Sequence, residues 1–206
     1  MNLTRRNFVL GSLGVASVIT LGSLSGCSGS AAWYQLDKFL SQDPSAIIKE
    51  LEENQGFEYQ GEQDVGVTSY NSYMWVGYPK DSLLDNGEIE SIQLQKGENR
   101  ESMSRDELLN GEEITGAQIL VITDAFNDGS VQSTTKHIIE KCGFANKDVE
   151  GMHEDGFIYI ADGACKLNGN DARWNINVWE SGSATITVFL NDDADYVETL
   201  KNNIQE

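Results

Sequence analysis

Three runs in the second half of the chain alternate apolar and polar residues, with turn-forming clusters between them, and no other feature restricts the fold as strongly. Residues 157–161, 174–179 and 185–190 send successive side chains to opposite faces, the period of a strand. Asn168-Gly169-Asn170-Asp171 and Ser181-Gly182-Ser183 supply the reversals. The segment is predicted to be a three-stranded antiparallel meander.

The first half carries helical spacing before its strands. Trp33, Leu36, Phe39 and Leu40 recur at helical intervals, and Asp43-Pro44 reads as a fresh N-cap with proline at the first helical position. Residues 44–54 then place Ile47, Ile48 and Leu51 on one side, and Gly56-Phe57 matches a left-handed cap followed by an apolar residue. The same ending recurs at Gly143-Phe144, after a helix expected over 131–142. Strands are expected at 57–59, 65–78 and 89–94, with Asn86-Gly87 as a turn signal. Residues 96–116 are polar, contain a short helix at 104–109, and form a long connection or boundary. The nearly unbroken apolar run at 116–123 suits a central buried strand joining the two halves. Asp192 to Asp195 stand at the start of a last helix carrying Tyr196, Val197, Leu200 and Ile204. The fold class is therefore α+β: antiparallel sheet covered by helices, in one domain over 33–206. Its halves, 33–110 and 117–206, read as a duplicated helix-then-meander unit.

Charge removes whole classes of partner. The 206 residues hold 14 Lys and Arg against 33 Asp and Glu, a net charge of −19. Nucleic acid binding needs clustered cations to displace counterions from phosphates, so no nucleic acid is expected. Attraction to an anionic bilayer by charge is excluded on the same ground.

The first residues read as an address. Arg5 and Arg6 precede an uncharged run over 8–24, and Leu24-Ser25-Gly26-Cys27 puts a cysteine where cleavage would fall. The run is short and broken by glycine and serine, which argues against a membrane-spanning helix. The segment resembles a twin-arginine signal joined to a bacterial lipobox. That resemblance implies export in a folded state, cleavage after residue 26, and Cys27 as the lipidated first residue of the mature protein. A Sec-type lipoprotein signal with a chance Arg-Arg leads to the same place. Residues 28–32 would be a short linker, and the domain would sit on the extracytoplasmic face of the membrane, held by lipid.

Few groups are placed for chemistry. Once Cys27 is set aside, Cys142 and Cys165 form a pair, and outside the cell a pair can oxidise to a disulfide, remain two buried thiols, or react. His137 and His153 are the only histidines and are weak metal candidates; no metal or other cofactor is implied. Asp124 to Gly129 partly matches a calcium loop but has Phe126 and Thr135 where ligands belong. Ser133-Thr134-Thr135-Lys136 has the S-x-x-K spacing without its companion motifs. Tyr73, Trp75 and Tyr78 in the first half, with Trp174 and Trp179 in the second, are the candidate ligand-binding aromatics, because these rings join contact area to a polar handle. Trp174 and Trp179 fall on opposite faces of their strand.

These observations point to a lipid-anchored surface module that binds a protein, peptide or glycan. Two further readings stay open. One is a small extracytoplasmic enzyme or metal-handling protein using Cys142, Cys165, His137 or His153; the other is an accessory or inhibitor protein docking on a partner.

Overall fold

The computed structural model describes residues 32–64, 71–77, 80, 83–84, 87–123, 130–145 and 149–190, with 62–64, 71–77, 87–90 and 122–123 followed as backbone. Two short helices, α1 (Leu36–Phe39) and α2 (Pro44–Lys49), open the fold, and α2 continues into a π-helical turn over Glu50–Gln55. Then come β1 (Phe57–Asp64), β2 (Asn71–Gly77), β3 (Gly87–Lys96), β4 (Glu101–Ser102), α3 (Arg105–Leu109) and β5 (Gly116–Thr123). The second half comprises α4 (Val131–Cys142), β6 (Val149–Asp155), β7 (Ile158–Leu167), β8 (Asn170–Trp179) and β9 (Ser183–Leu190). The described strands form one sheet in the order β1-β2-β3-β5-β9-β8-β7-β6, with β4 paired to β3. Every pairing is antiparallel, so the mixed α+β class is the observed one.

The turns obey local chemistry. Leu167 pairs with Asn170 across Asn168-Gly169, whose φ angles of 52° and 83° make the two-residue type I′ reversal that suits strand twist. Glu180, Ser181 and Gly182 link β8 to β9, with Gly182 at φ 96° and its N–H donating to the Trp179 carbonyl at 3.2 Å. Both meander turns therefore lie where they are predicted, but the meander has four strands, not three. Val149–Asp155, where no strand is predicted, is the edge strand β6. It pairs only with β7 among the described strands, so neither of its faces has to be apolar, and its residues are half-buried or exposed throughout. The run at 116–123 is the central strand expected, paired to β3 on one edge and β9 on the other. The connection at 96–116 carries β4 and α3 and returns the chain to the strand beside β3. Residues 65–70, 78–79, 86, 124–129 and 191–206, which include parts of the expected second strand, the Asn86 turn, the calcium-like loop and the last helix, lie outside the described residues.

One face of the sheet is core. Ile92 and Leu94 of β3, Ala117, Ile119 and Val121 of β5, Ala184, Ile186 and Val188 of β9, and Ala172, Trp174, Ile176 and Val178 of β8 are all buried, and register sets them in rows across the strands. From α4, Thr135, Ile138, Ile139 and Cys142 are buried, and this helix lies against β7 and β8. Both glycine caps form: Gly56 and Gly143 take left-handed φ of 85° and 79°, and Phe57 and Phe144 behind them are buried. Phe144 stacks on Trp174 with ring centroids 4.6 Å apart and planes 9° from parallel, while Trp33 meets Phe57 edge-on at 5.1 Å. Each cap thus ends a helix and delivers an aromatic ring into the core in the next residue.

The short helix α3 is held by a capping box. Ser104 Oγ accepts from the Glu107 N–H, and the Glu107 carboxylate accepts from the Ser104 N–H at 2.8 Å. Lys96 Nζ donates to the same carboxylate at 2.6 Å. The Lys96 ammonium bond first, and the Ser104 donors next, lower the Glu107 pKa from its ordinary 4.5 to about 2. A carboxylate depressed in the folded state stabilises above its unfolded pKa, and that contribution disappears as pH falls through the folded value.

Two outcomes are expected. Trp174→Ala should cost about 3–5 kcal/mol in urea unfolding, the scale for emptying a buried aromatic site, whereas Trp179→Ala should cost about 1 kcal/mol or less. Glu107→Gln should lower the melting temperature at pH 6–7, and the gap from wild type should close between about pH 4.5 and pH 2. A gap that stays constant across that window would remove the role given to the Lys96–Glu107–Ser104 cluster.

Candidate functional site: the polar face of the sheet

The alternation that buries one face of β3, β5, β9 and β8 sends a different residue set to the other. One cross-strand row there reads Gln93, Gln118, Thr187 and Asn175; the next reads Ser91, Leu120, Thr185 and Asn177. These two rows, spanning four strands, contain no ionisable group, although acids outnumber bases 33 to 14 in the whole chain. Amides and hydroxyls fill the positions that a solvated sheet face would ordinarily give to Lys and Glu. Most are half-buried, while Ser91 and Asn175 are buried.

The amides are partly ordered by one another. Asn177 Nδ2 donates to Asn175 Oδ1 at 2.8 Å and lies 3.4 Å from Thr185 Oγ1; Gln93 Nε2 donates to Ser102 Oγ. Each amide or hydroxyl retains capacity after these bonds, because an amide brings two donors and two lone pairs. Trp179 lies on the same face, half-buried at the β8 end of the next row, directly opposite Ile158 of β7 and Ser183 of β9. The result is a shallow neutral strip, rich in donors and acceptors, with an indole at one end.

A charged border closes the strip on the β7 side. Arg173 of β8 is nearly buried, its side chain 13% exposed, and its guanidinium reaches Asp162 and Glu150, each at 2.9 Å. Asp162 stands opposite Asn175 in the first row and lies directly over Gly151 of β6, where a Cβ would overlap its carboxylate. Glycine at 151 is what lets the carboxylate lie flat against the edge strand and meet the guanidinium. Phe189 of β9 stands directly opposite Arg173 in register, and Arg100 of the β3–β4 turn stacks on its ring, 3.9 Å from the centroid.

The aromatic candidates separate. Trp174 is fully buried and stacked in the core, and Trp179 reaches solvent on the opposite face. Trp75 stands in register with Tyr59 and Ile92, and Tyr73 with Glu62; Tyr78 lies outside the described residues. His137 is half-buried on α4, and His153 is half-buried on β6 opposite Ile160, its Nε2 without a hydrogen-bond partner. The two histidines are on separate elements, and among the described residues no group of three or more metal-ligating side chains occurs. Cys142 and Cys165 do not form the disulfide offered from sequence. Cys142 is buried on the last turn of α4 and Cys165 half-buried on β7, each packed with the core as a small apolar group. In the S-x-x-K string, Ser133 Oγ donates to the Ser130 carbonyl at 2.8 Å and belongs to the cap of α4. Arg5, Arg6 and Cys27 precede the described residues, and no described helix is long and apolar enough to cross a membrane.

The neutral strip itself was not anticipated. Its signal lay in the polar half of the alternation, where Asn175, Asn177, Thr185 and Thr187 replace the charged residues common elsewhere in the chain. Gly151→Ala should displace Asp162 from Arg173 and cost about 1–3 kcal/mol in chemical unfolding, the range for disturbing a paired, partly buried charge; a neutral effect would show that the Arg173 contacts are incidental. Comparisons with protein-family models, with curated proteins and with solved structures found no match.

Proposed function

We propose that this chain is an extracytoplasmic, lipid-anchored binding module that recognises a neutral polar chain, a glycan or a peptide, on the polar face of its sheet. The observation that carries the reading is the uncharged strip of Gln93, Gln118, Thr187 and Asn175 beside Ser91, Leu120, Thr185 and Asn177, set in a protein of net charge −19. Amides and hydroxyls match hydroxyls and peptide groups without the desolvation cost of an ion, and Trp179 adds a ring for an apolar sugar face or side chain. The rigid sheet holds these groups in place before binding, which lowers the entropy lost on association.

Location rests on residues 1–27, whose Arg5-Arg6 pair and Leu24-Ser25-Gly26-Cys27 box support lipid attachment at Cys27 and display outside the cytoplasm. The strand order supports a duplicated origin for the two halves. Each half opens with helix and then lays strands side by side, β1-β2-β3-β5 (with β4 and α3 inserted before β5) and β6-β7-β8-β9, and the halves meet through their last strands. The matching Gly-Phe helix endings belong to the same plan.

Two measurements test the proposal. Glycan and peptide arrays probed with the protein should yield a neutral ligand whose Kd rises at least tenfold in Trp179→Ala and in Asn177→Ala while the melting temperature is held; binding unaffected by both would move the site elsewhere. Cys27→Ser should release the protein from the membrane fraction and abolish the lipid-sized mass on its N-terminal peptide. A membrane-bound, unlipidated protein would remove the anchor.

A further inference from the structure

The β6–β7 hairpin carries a residue that its turn does not need. Asp155 pairs with Ile158, leaving Gly156-Phe157 as a two-residue loop. Gly156 supplies the positive φ, 58°, at the first central position, the II′ arrangement that leaves the second position open to any residue with negative φ. Polar, small residues usually fill such a site. Here it holds Phe157, which is 76% exposed, well above Leu109 at 48% and Met152 at 36% among the described large apolar residues. Folding gains almost nothing from a phenylalanine there, because it stays in water.

The surroundings make the tip a small composite surface. Ile158 and Trp179, directly opposed across β7 and β8, are both half-buried beside it. The Glu180 N–H donates to the Phe157 carbonyl at 3.0 Å, binding the β8–β9 turn to the hairpin. Two tight turns therefore fix the backbone that carries the exposed ring, so little backbone freedom remains to be lost on binding. The ionisable residues next to it in the two turns, Glu154, Asp155 and Glu180, are all acidic and exposed.

The tip also has a definite place relative to the chain's start. Gln35 lies against Gly143, at the C-terminal end of α4, whereas Gln132 in the first turn of that helix donates to Tyr159 Oη at 3.1 Å, beside the tip. The 12 residues of α4 separate these ends by about 16 Å. The tip therefore stands at the pole away from residue 35, the end from which the chain leads back to Cys27.

We propose that Phe157 on the β6–β7 hairpin is a docking anchor for a second protein, one that offers an apolar socket edged by lysine or arginine. An exposed aromatic on a rigid turn is the chemistry of an interface anchor, and the carboxylates around it select a basic rim and repel an acidic bilayer or a second copy of this acidic chain. This surface adjoins the neutral strip at Trp179, but its anchor Phe157 and its carboxylates lie outside the strip.

The test places p-benzoylphenylalanine at position 157 of the full chain in the cells that make it, with the same substitution at exposed Leu109 as the control. Irradiation should give one discrete protein adduct from 157 and none from 109, and the cross-linked peptide of the captured protein should carry apolar residues flanked by Lys or Arg. Adding Glu154→Lys and Glu180→Lys should lower the adduct yield at least tenfold. With the captured protein purified, Phe157→Ser should weaken binding at least tenfold at an unchanged melting temperature, and wild-type affinity should fall as salt rises. The proposal is overturned by equal labelling from 157 and 109, by an adduct with lipid, glycan or a second copy of the chain, or by a yield indifferent to the charge reversals.

Discussion

The β5–β9 pairing is the contact on which the architecture depends. It runs from Gly116 opposite Phe189 to Ile122 opposite Ser183 and is the seam by which two sequential sets of strands become one sheet. Gly116 shows how closely the strands approach there: a Cβ would lie 2.7 Å from the Val188 carbonyl oxygen and 3.3 Å from the Phe189 Cα. Both strands are central, so the apolar rows of the core and the neutral rows of the opposite face cross the sheet through this seam. A one-residue slip of β5 against β9 would exchange the faces of β5, setting Ile119 among the amides and Gln118 in the core. Register here thus fixes stability and surface chemistry in a single choice.

Much of the fold was legible because local rules and tertiary packing agree. Asn168-Gly169, Gly56-Phe57, Gly143-Phe144 and the run at 116–123 each have one favoured conformation, and each adopts it. The failures have physical causes. Strand β6 escaped detection because an edge strand needs no apolar face, and Glu150, His153, Glu154 and Asp155 leave it without an apolar alternation. The cysteine pair could be counted from sequence, but a bridge depends on the separation and direction of two side chains, which spacing along the chain does not specify.

The site was less legible than the fold. Searching for chemistry selects histidines, cysteines and acid clusters, and these fall on separate elements. The distinctive surface is distinctive by what its neighbours carry: asparagine, glutamine and threonine are unremarkable singly and become informative once four strands align them in a strongly acidic protein. That alignment is long-range, linking Gln93 to Asn175 through β5 and β9, and no local window contains it. Trp174 and Trp179, five residues apart, show the same point: strand parity puts them on opposite faces, but only packing against Phe144 decides which face is core.

The polar character of β6, which hid the strand from view, also bears on how copies of this protein coexist. An outermost strand presents unspent N–H and C=O groups, a template on which another sheet could extend. Glu154 and Asp155 are exposed on this border and Glu150 is 51% exposed, so a second copy approaching edge to edge would bring its own carboxylates against them well within a Debye length of about 8 Å at physiological salt. Molecules crowded onto a two-dimensional surface meet at far higher effective concentration than in free solution. On the membrane surface proposed for this chain, the acidic border would act as insulation against edge-to-edge pairing, which an apolar strand in the same position would promote.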